Sequence, residues 1–102
     1  MSTLLAAKRR LLQYMIEVST IAEKSSRTDR DVVQALLLVL RAAGVSQKDI
    51  AEALNINPVT VSIWGSGRAP RRPKEEGRAR YALLDLLMLK IIALDEEIKG
   101  KG

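Results

Sequence analysis

Between Met1 and Ala43 the chain has no glycine and no proline, and between Arg78 and Lys99 it again has none. Gly44, Pro58, Gly65, Gly67, Pro70, Pro73 and Gly77 all fall in the stretch between. Both residue types end or kink helices, proline through its missing N–H and fixed φ, glycine through its backbone freedom. Their placement predicts long helices at the two ends of the chain and short ones in the middle. Apolar residues recur at helical spacing, and no segment alternates with the period of two that marks a strand. The expected fold is all-α, with about five helices.

From Thr3 to Lys24, Leu4, Leu11, Met15, Val18 and Ala22 share one helical face, broadened by Leu5, Leu12 and Ile16. A polar break at Ser25 to Thr28 follows. Thr28 or Asp29 can cap a second helix running to about Ala43, with Gly44 just past its end. Ser46 and Asp49 form a shortened capping box for a third helix over Gln47 to Leu54. Asn55, Ile56 and Asn57 read as a turn. Pro58 then opens a fourth helix through about Trp64, stopped by Gly65 and Gly67. Pro70 and Pro73 are expected to hold the next segment extended or turning. A last helix starts at Lys74 or Gly77 and runs to about Ile98, leaving a frayed tail from Gly100 to Gly102. It is apolar almost all round, from Leu83 through Leu94, and such a helix needs burial on more than one side. In a chain of 102 residues a second copy is the simplest cover.

One domain is expected over residues 1–102: an N-terminal helix (1–27), a core with a basic segment (28–73) and a C-terminal oligomerisation helix (74–102). No signal peptide is read at the start, where Lys8, Arg9 and Arg10 interrupt the first apolar run. The greasiest stretch, Ala82 to Leu94, contains Asp85 and Lys90 and falls short of the roughly 20 residues a membrane span requires. A cytoplasmic protein is expected.

The chain contains no cysteine and no histidine. Disulfides, thiol nucleophiles and cysteine-bound zinc are excluded, and with histidine goes the usual general base and commonest metal ligand. The acidic clusters, Asp29 with Asp31 and Asp95-Glu96-Glu97, lack further acids at metal-ligand spacing, and no glycine-rich phosphate loop occurs. No catalytic residue, metal site or cofactor is expected. The formal charge is +5, and it is unevenly spread. Arg68, Arg71, Arg72, Lys74, Arg78 and Arg80 crowd between Ser66 and Arg80 against Glu75 and Glu76. Such a local cluster points to a polyanion. Lys8, Arg9 and Arg10 form a second basic group, with Arg41 and Lys48 isolated. Trp64 reads as a core residue, and three aromatics in all give little platform for stacking single strands.

The stretch from Val45 to Gly67 carries the functional signal. Ile50, Ala51 and Leu54 give the third helix an inward face, and small Ala51 permits a close crossing. Ile56 anchors the turn, and Val61 and Trp64 pin the fourth helix. Asn57, Pro58, Val59, Ser62 and Ile63 are left outward, with Thr60 at the edge. This is a helix-turn-helix pattern, whose second helix enters the major groove. In Ser46-Gln47, Ile50-Ala51, Leu54, Ile56, Thr60-Val61-Ser62, Trp64 and Gly67 it resembles the phage repressor/Cro-type (xenobiotic-response-element type) family, over roughly residues 36–70. The resemblance implies that Gln47 holds a DNA phosphate and that Asn57, Pro58, Val59 and Ile63 face base edges. It departs in the turn, where Asn55 replaces the usual glycine, and after the tryptophan, where Gly65 replaces an acid. Pro58, Val59 and Ile63 also stand where the family often has Gln, Arg or Ser. They suit thymine methyls better than bidentate hydrogen bonds, leaving Asn57, Thr60 and Ser62 for polar contacts. Arg68, Arg71 and Arg72 follow where phosphates would lie, and Lys48 is a further candidate.

The leading expectation is a repressor-like transcriptional regulator that binds double-stranded DNA as a homodimer or higher homo-oligomer through Leu83 to Ile98, without a membrane partner. Two other classes fit the same features. One is a DNA-packaging subunit resembling the phage small terminase; the other is an antitoxin-like module that binds a protein through its apolar last helix.

Overall fold

The computed structural model describes residues 3–24, 29–66 and 73–101, with side chains for 3–24, 31–66 and 78–100. Five helices and no strand occur among the described residues: α1 (Thr3–Lys24), α2 (Asp29–Ala42), α3 (Gln47–Leu54), α4 (Pro58–Gly65) and α5 (Pro73–Lys101). The break at Ser25 to Thr28, with its candidate cap Thr28, lies outside the described residues, as do the side chain of Asp29 and residues Gly67 and Pro70. Pro73 does not hold an extended path. It is the first residue of α5, the position where its missing N–H costs nothing because no helical acceptor precedes it. At the other end α5 continues through Gly100 to Lys101, past the expected fraying point.

α2 is the hub of the core. Val32, Val33, Leu36, Leu37, Val39 and Leu40 are all buried, and the helix packs against α1, α4 and α5. α1 contributes Met15, Val18 and Ala22, spaced as a single helical stripe. Ser19 is the one buried polar residue of that stripe. Its hydroxyl donates to the Ile16 carbonyl at 2.7 Å, so no polar group is stranded.

α1 and α5 run antiparallel, fastened near both ends. The Lys8 ammonium pairs with Glu97 Oε1 at 2.5 Å. At the opposite end the Arg80 guanidinium donates to the carbonyl of Ala22. That carbonyl lies in the last turn of α1, where backbone acceptors have no helical partner and a cation complements the helix dipole.

The expectation that α5 exceeds what one chain can cover holds only in part. α5 packs on α1, α2 and α3. Ala79, Leu83, Leu87 and Ile98 are buried, and Leu84, Leu86, Ile91 and Leu94 are half-buried against the core. Leu83, Leu87 and Ile98 therefore cannot be the contact surface for a second chain, because this chain already occupies them. What stays open is a narrower stripe of Tyr81, Met88, Leu89 and Ile92, interrupted by Asp85. Among the described residues no helix is long and apolar enough to cross a membrane.

Candidate nucleic-acid interface

The helix boundaries around the motif are set by short-range chemistry. At the end of α2 the Gly44 N–H donates to Arg41 O and the Val45 N–H to Leu40 O, both at 3.0 Å. This paired closure is a Schellman motif, and it needs a left-handed residue. Gly44 supplies it with φ +88°, while Val45 behind it is buried. The same device closes α3. Asn55 N–H donates to Glu52 O and Ile56 N–H to Ala51 O, around Asn55 at φ 56°, ψ 47°. Asparagine is one of the few side chains that tolerate this region, so the turn closes without a glycine.

The two helix starts are equally explicit. Ser46 Oγ accepts the Asp49 N–H at 3.1 Å to cap α3. Asn57 Oδ1 accepts the Val59 N–H at 2.9 Å to cap α4, with Pro58 at the first helical position. The last residue of α4 is Gly65, with Ser66 as its C-cap, whose backbone N–H reaches Ser62 O and Ile63 O. The Ser66 hydroxyl donates again to Ile63 O at 2.7 Å. The helix ends at Gly65 as expected, but Gly65 has no positive φ, so the closure is made through Ser66 without a left-handed glycine there.

Ile50 and Ala51 are buried under α3, and Val61 and Trp64 under α4; Leu54 and Ile56 fill the angle between them. Trp64 is thus a core residue. Asn57, Pro58, Val59, Ser62 and Ile63 are exposed and Thr60 is half-buried. Val59 is 62% and Ile63 43% exposed, large values for branched apolar side chains with nothing to pack on. Gln47 is half-buried, and its amide donates to the Pro58 carbonyl at 2.5 Å. It fastens the start of α3 to the start of α4, fixing the angle at which α4 is presented. Lys48 beside it is exposed.

The basic residues divide. Arg68, Arg71 and Arg72 lie outside the described residues. Lys8 and Arg80, read from sequence as parts of basic strips, are engaged in holding α1 to α5. Arg41 and Arg78 are the ones brought to the motif. Arg41 lines a hollow with Leu37, Leu38, Val61, Ser62 and Gly65. Arg78 lines a groove whose rim includes Asn55, Asn57 and Thr60 and whose floor includes Trp64. The sequence marked Arg41 only as isolated and Arg78 only as the tail of a basic run. Its signal for both is helical phase: Arg41 lies one residue past the Leu37–Leu40 core stripe and Arg78 one before Ala79.

Two short capped helices crossing over Ala51, with the second one's outer face bare, make this a helix-turn-helix protein in architecture. Residues 26–67 match the homeodomain-like domain family, a match that covers α2, α3 and α4 and leaves out all of α1 and α5. It supports a helix-turn-helix of the DNA-binding kind without singling out the phage repressor/Cro type. No curated protein and no solved structure matches the chain.

Proposed function

We propose that the protein is a repressor-like transcriptional regulator that docks α4 in the major groove of double-stranded DNA. The observation that carries this reading is the face of α4. Val59, Ser62 and Ile63 stand out to solvent on a helix whose other face is fixed by Val61 and Trp64 in the core. A well-anchored helix with bare valine and isoleucine is explained by a surface that covers them, and the edge of thymine offers a methyl group at that depth. Gln47, Lys48, Asn57 and Thr60 border the same face, the amide nitrogen of Asn57 and the hydroxyls of Thr60 and Ser62 serving as donors to bases or phosphates. Arg68, Arg71 and Arg72 supply further positive charge directly after α4. Regulation on this reading is by occupancy, blocking or recruiting polymerase, with no chemistry.

The protein acts as a homodimer, its two α4 helices reading half-sites about one helical turn apart on a roughly palindromic target. The stripe of Tyr81, Met88, Leu89 and Ile92 on α5 supports this pairing and narrows the interface from the full Leu83 to Ile98 span.

The test is binding of a labelled 30-base-pair duplex by fluorescence anisotropy, with Val59→Glu and Ile63→Glu combined. Both positions are exposed, so the thermal melt should match the parent chain. Two carboxylates against base edges and phosphates should abolish duplex binding. Undiminished binding by a normally melting variant would overturn the docking of α4.

A further inference from the structure

α4 is bordered on both sides by an exposed arginine that comes from a different helix. Viewed down its axis, the outer face is centred on Val59 and Ile63, with Thr60 on one flank and Ser62 and Gly65 on the other. Arg78 of α5 shares a groove with Asn57 and Thr60. Arg41, in the last turn of α2, shares a hollow with Ser62 and Gly65. The two arginines thus border opposite flanks, each lining a hollow shared with a hydroxyl-bearing residue. Both side chains are exposed. Among the described residues neither enters an ion pair, in contrast to Lys8, which pairs with Glu97.

We infer that Arg41 and Arg78 are a pair of phosphate clamps, one for each sugar–phosphate strand that walls the major groove. The argument rests on the proposed docking of α4 and adds to it. A helix with its side chains is about 10–12 Å across and the groove about 12 Å wide, so a docked α4 has a phosphate wall against each flank. A guanidinium donates in a planar fork that matches two phosphate oxygens. Thr60 and Ser62 add a neutral donor on their respective sides. Contacts of this kind set register and depth and carry no sequence information. They are needed here because the reading face itself bears no charge. With Arg41 of α2 on one phosphate wall and Arg78 of α5 on the other, α4 is centred in the groove with Val59 and Ile63 at base-edge depth.

The experiment compares the full chain with Arg41→Gln, Arg78→Gln, the double variant and Arg10→Gln, which removes an exposed charge on α1. Each is titrated with a labelled 30-base-pair mixed-sequence duplex at several salt concentrations. Arg41→Gln and Arg78→Gln should each flatten the slope of log K against log salt by about 0.9, and the double variant by about twice that. Arg10→Gln should leave the slope at the parent value, and thermal melts should agree throughout. Parent-like slopes for Arg41→Gln and Arg78→Gln, with the parent chain binding, would overturn the clamp and leave the docking of α4 standing. An equal fall with Arg10→Gln would also overturn it, since the effect would then be charge in general. A parent chain that does not bind duplex would remove both.

Discussion

Single residues decide where the helices of this motif stop. Gly44 and Asn55 perform the same task with different side chains, and they should respond differently to substitution. No atom lies within 4 Å of where a Cβ on Gly44 would stand, so its replacement meets no steric neighbour. The strain is purely in the backbone at φ +88°. Gly44→Ala should therefore destabilise the chain by about 1–2 kcal/mol, the usual cost of a left-handed alanine. Asn55→Gly removes a tolerated side chain from a permissive conformation and should shift stability by no more than about 0.5 kcal/mol. Urea denaturation with a common slope checks both. A loss at Asn55 equal to that at Gly44 would mean the Asn55 side chain supports the turn through contacts and not merely by accepting its φ.

At the scale of elements, α5 has two faces with separate consequences. Leu83 and Leu87 are fully buried, whereas Leu89 is 65% exposed. Leu83→Ala should cost about 2–5 kcal/mol by loss of burial and the cavity left behind. Leu89→Ala, measured at concentrations where the chain is monomeric, should stay within about 0.5 kcal/mol; chemical denaturation of the two variants separates them. The elements themselves were largely legible. Ser46 with Asp49, and Asn57 with Pro58, are local signals whose whole meaning lies within four residues. Pro73 misled because the same residue that breaks a helix interior also suits its first position. The C-cap role of Ser66 was missed because it depends on backbone N–H and hydroxyl bonds to the Ser62 and Ile63 carbonyls, which a glycine-based rule does not register. The partial over-reading of α5 has a similar root. An apolar helix announces that it is buried, but the sequence alone does not say whether its cover comes from the same chain.

For the molecule as a whole, the long axis of 47 Å is close to the length of α5, whose 29 residues span about 43 Å at 1.5 Å each. The remaining apolar stripe runs along that rod. Light scattering should give twice the chain mass for the parent protein, and Leu89→Lys with Ile92→Lys should reduce it to one chain without lowering helicity. A monomeric parent would leave the stripe without a second copy, and a closed ring larger than a tetramer would favour the packaging-subunit reading. The candidate interface was legible in its reading face, because helical phase around Val61 and Trp64 assigns Asn57, Pro58, Val59, Ser62 and Ile63 to solvent directly. Its borders were less so. The run Arg68, Arg71 and Arg72 after α4 lies outside the described residues, whereas Arg41 and Arg78 reach the motif through the placement of α2 and α5. Lys8 and Arg80 were drawn away from it by the antiparallel pairing of α1 and α5, a relation between residues at opposite ends of the chain.

On the proposed docking of α4, the bare Val59 and Ile63 also carry a consequence for the chemical state of the target. An apolar side chain in the major groove senses a methyl group at the C5 edge of a pyrimidine, and it does not register which base bears that methyl. 5-Methylcytosine presents it where thymine does. A regulator that reads through valine and isoleucine is thereby exposed to DNA methylation: in a genome where cytosines are modified, its set of acceptable sites widens with no change in the genetic text.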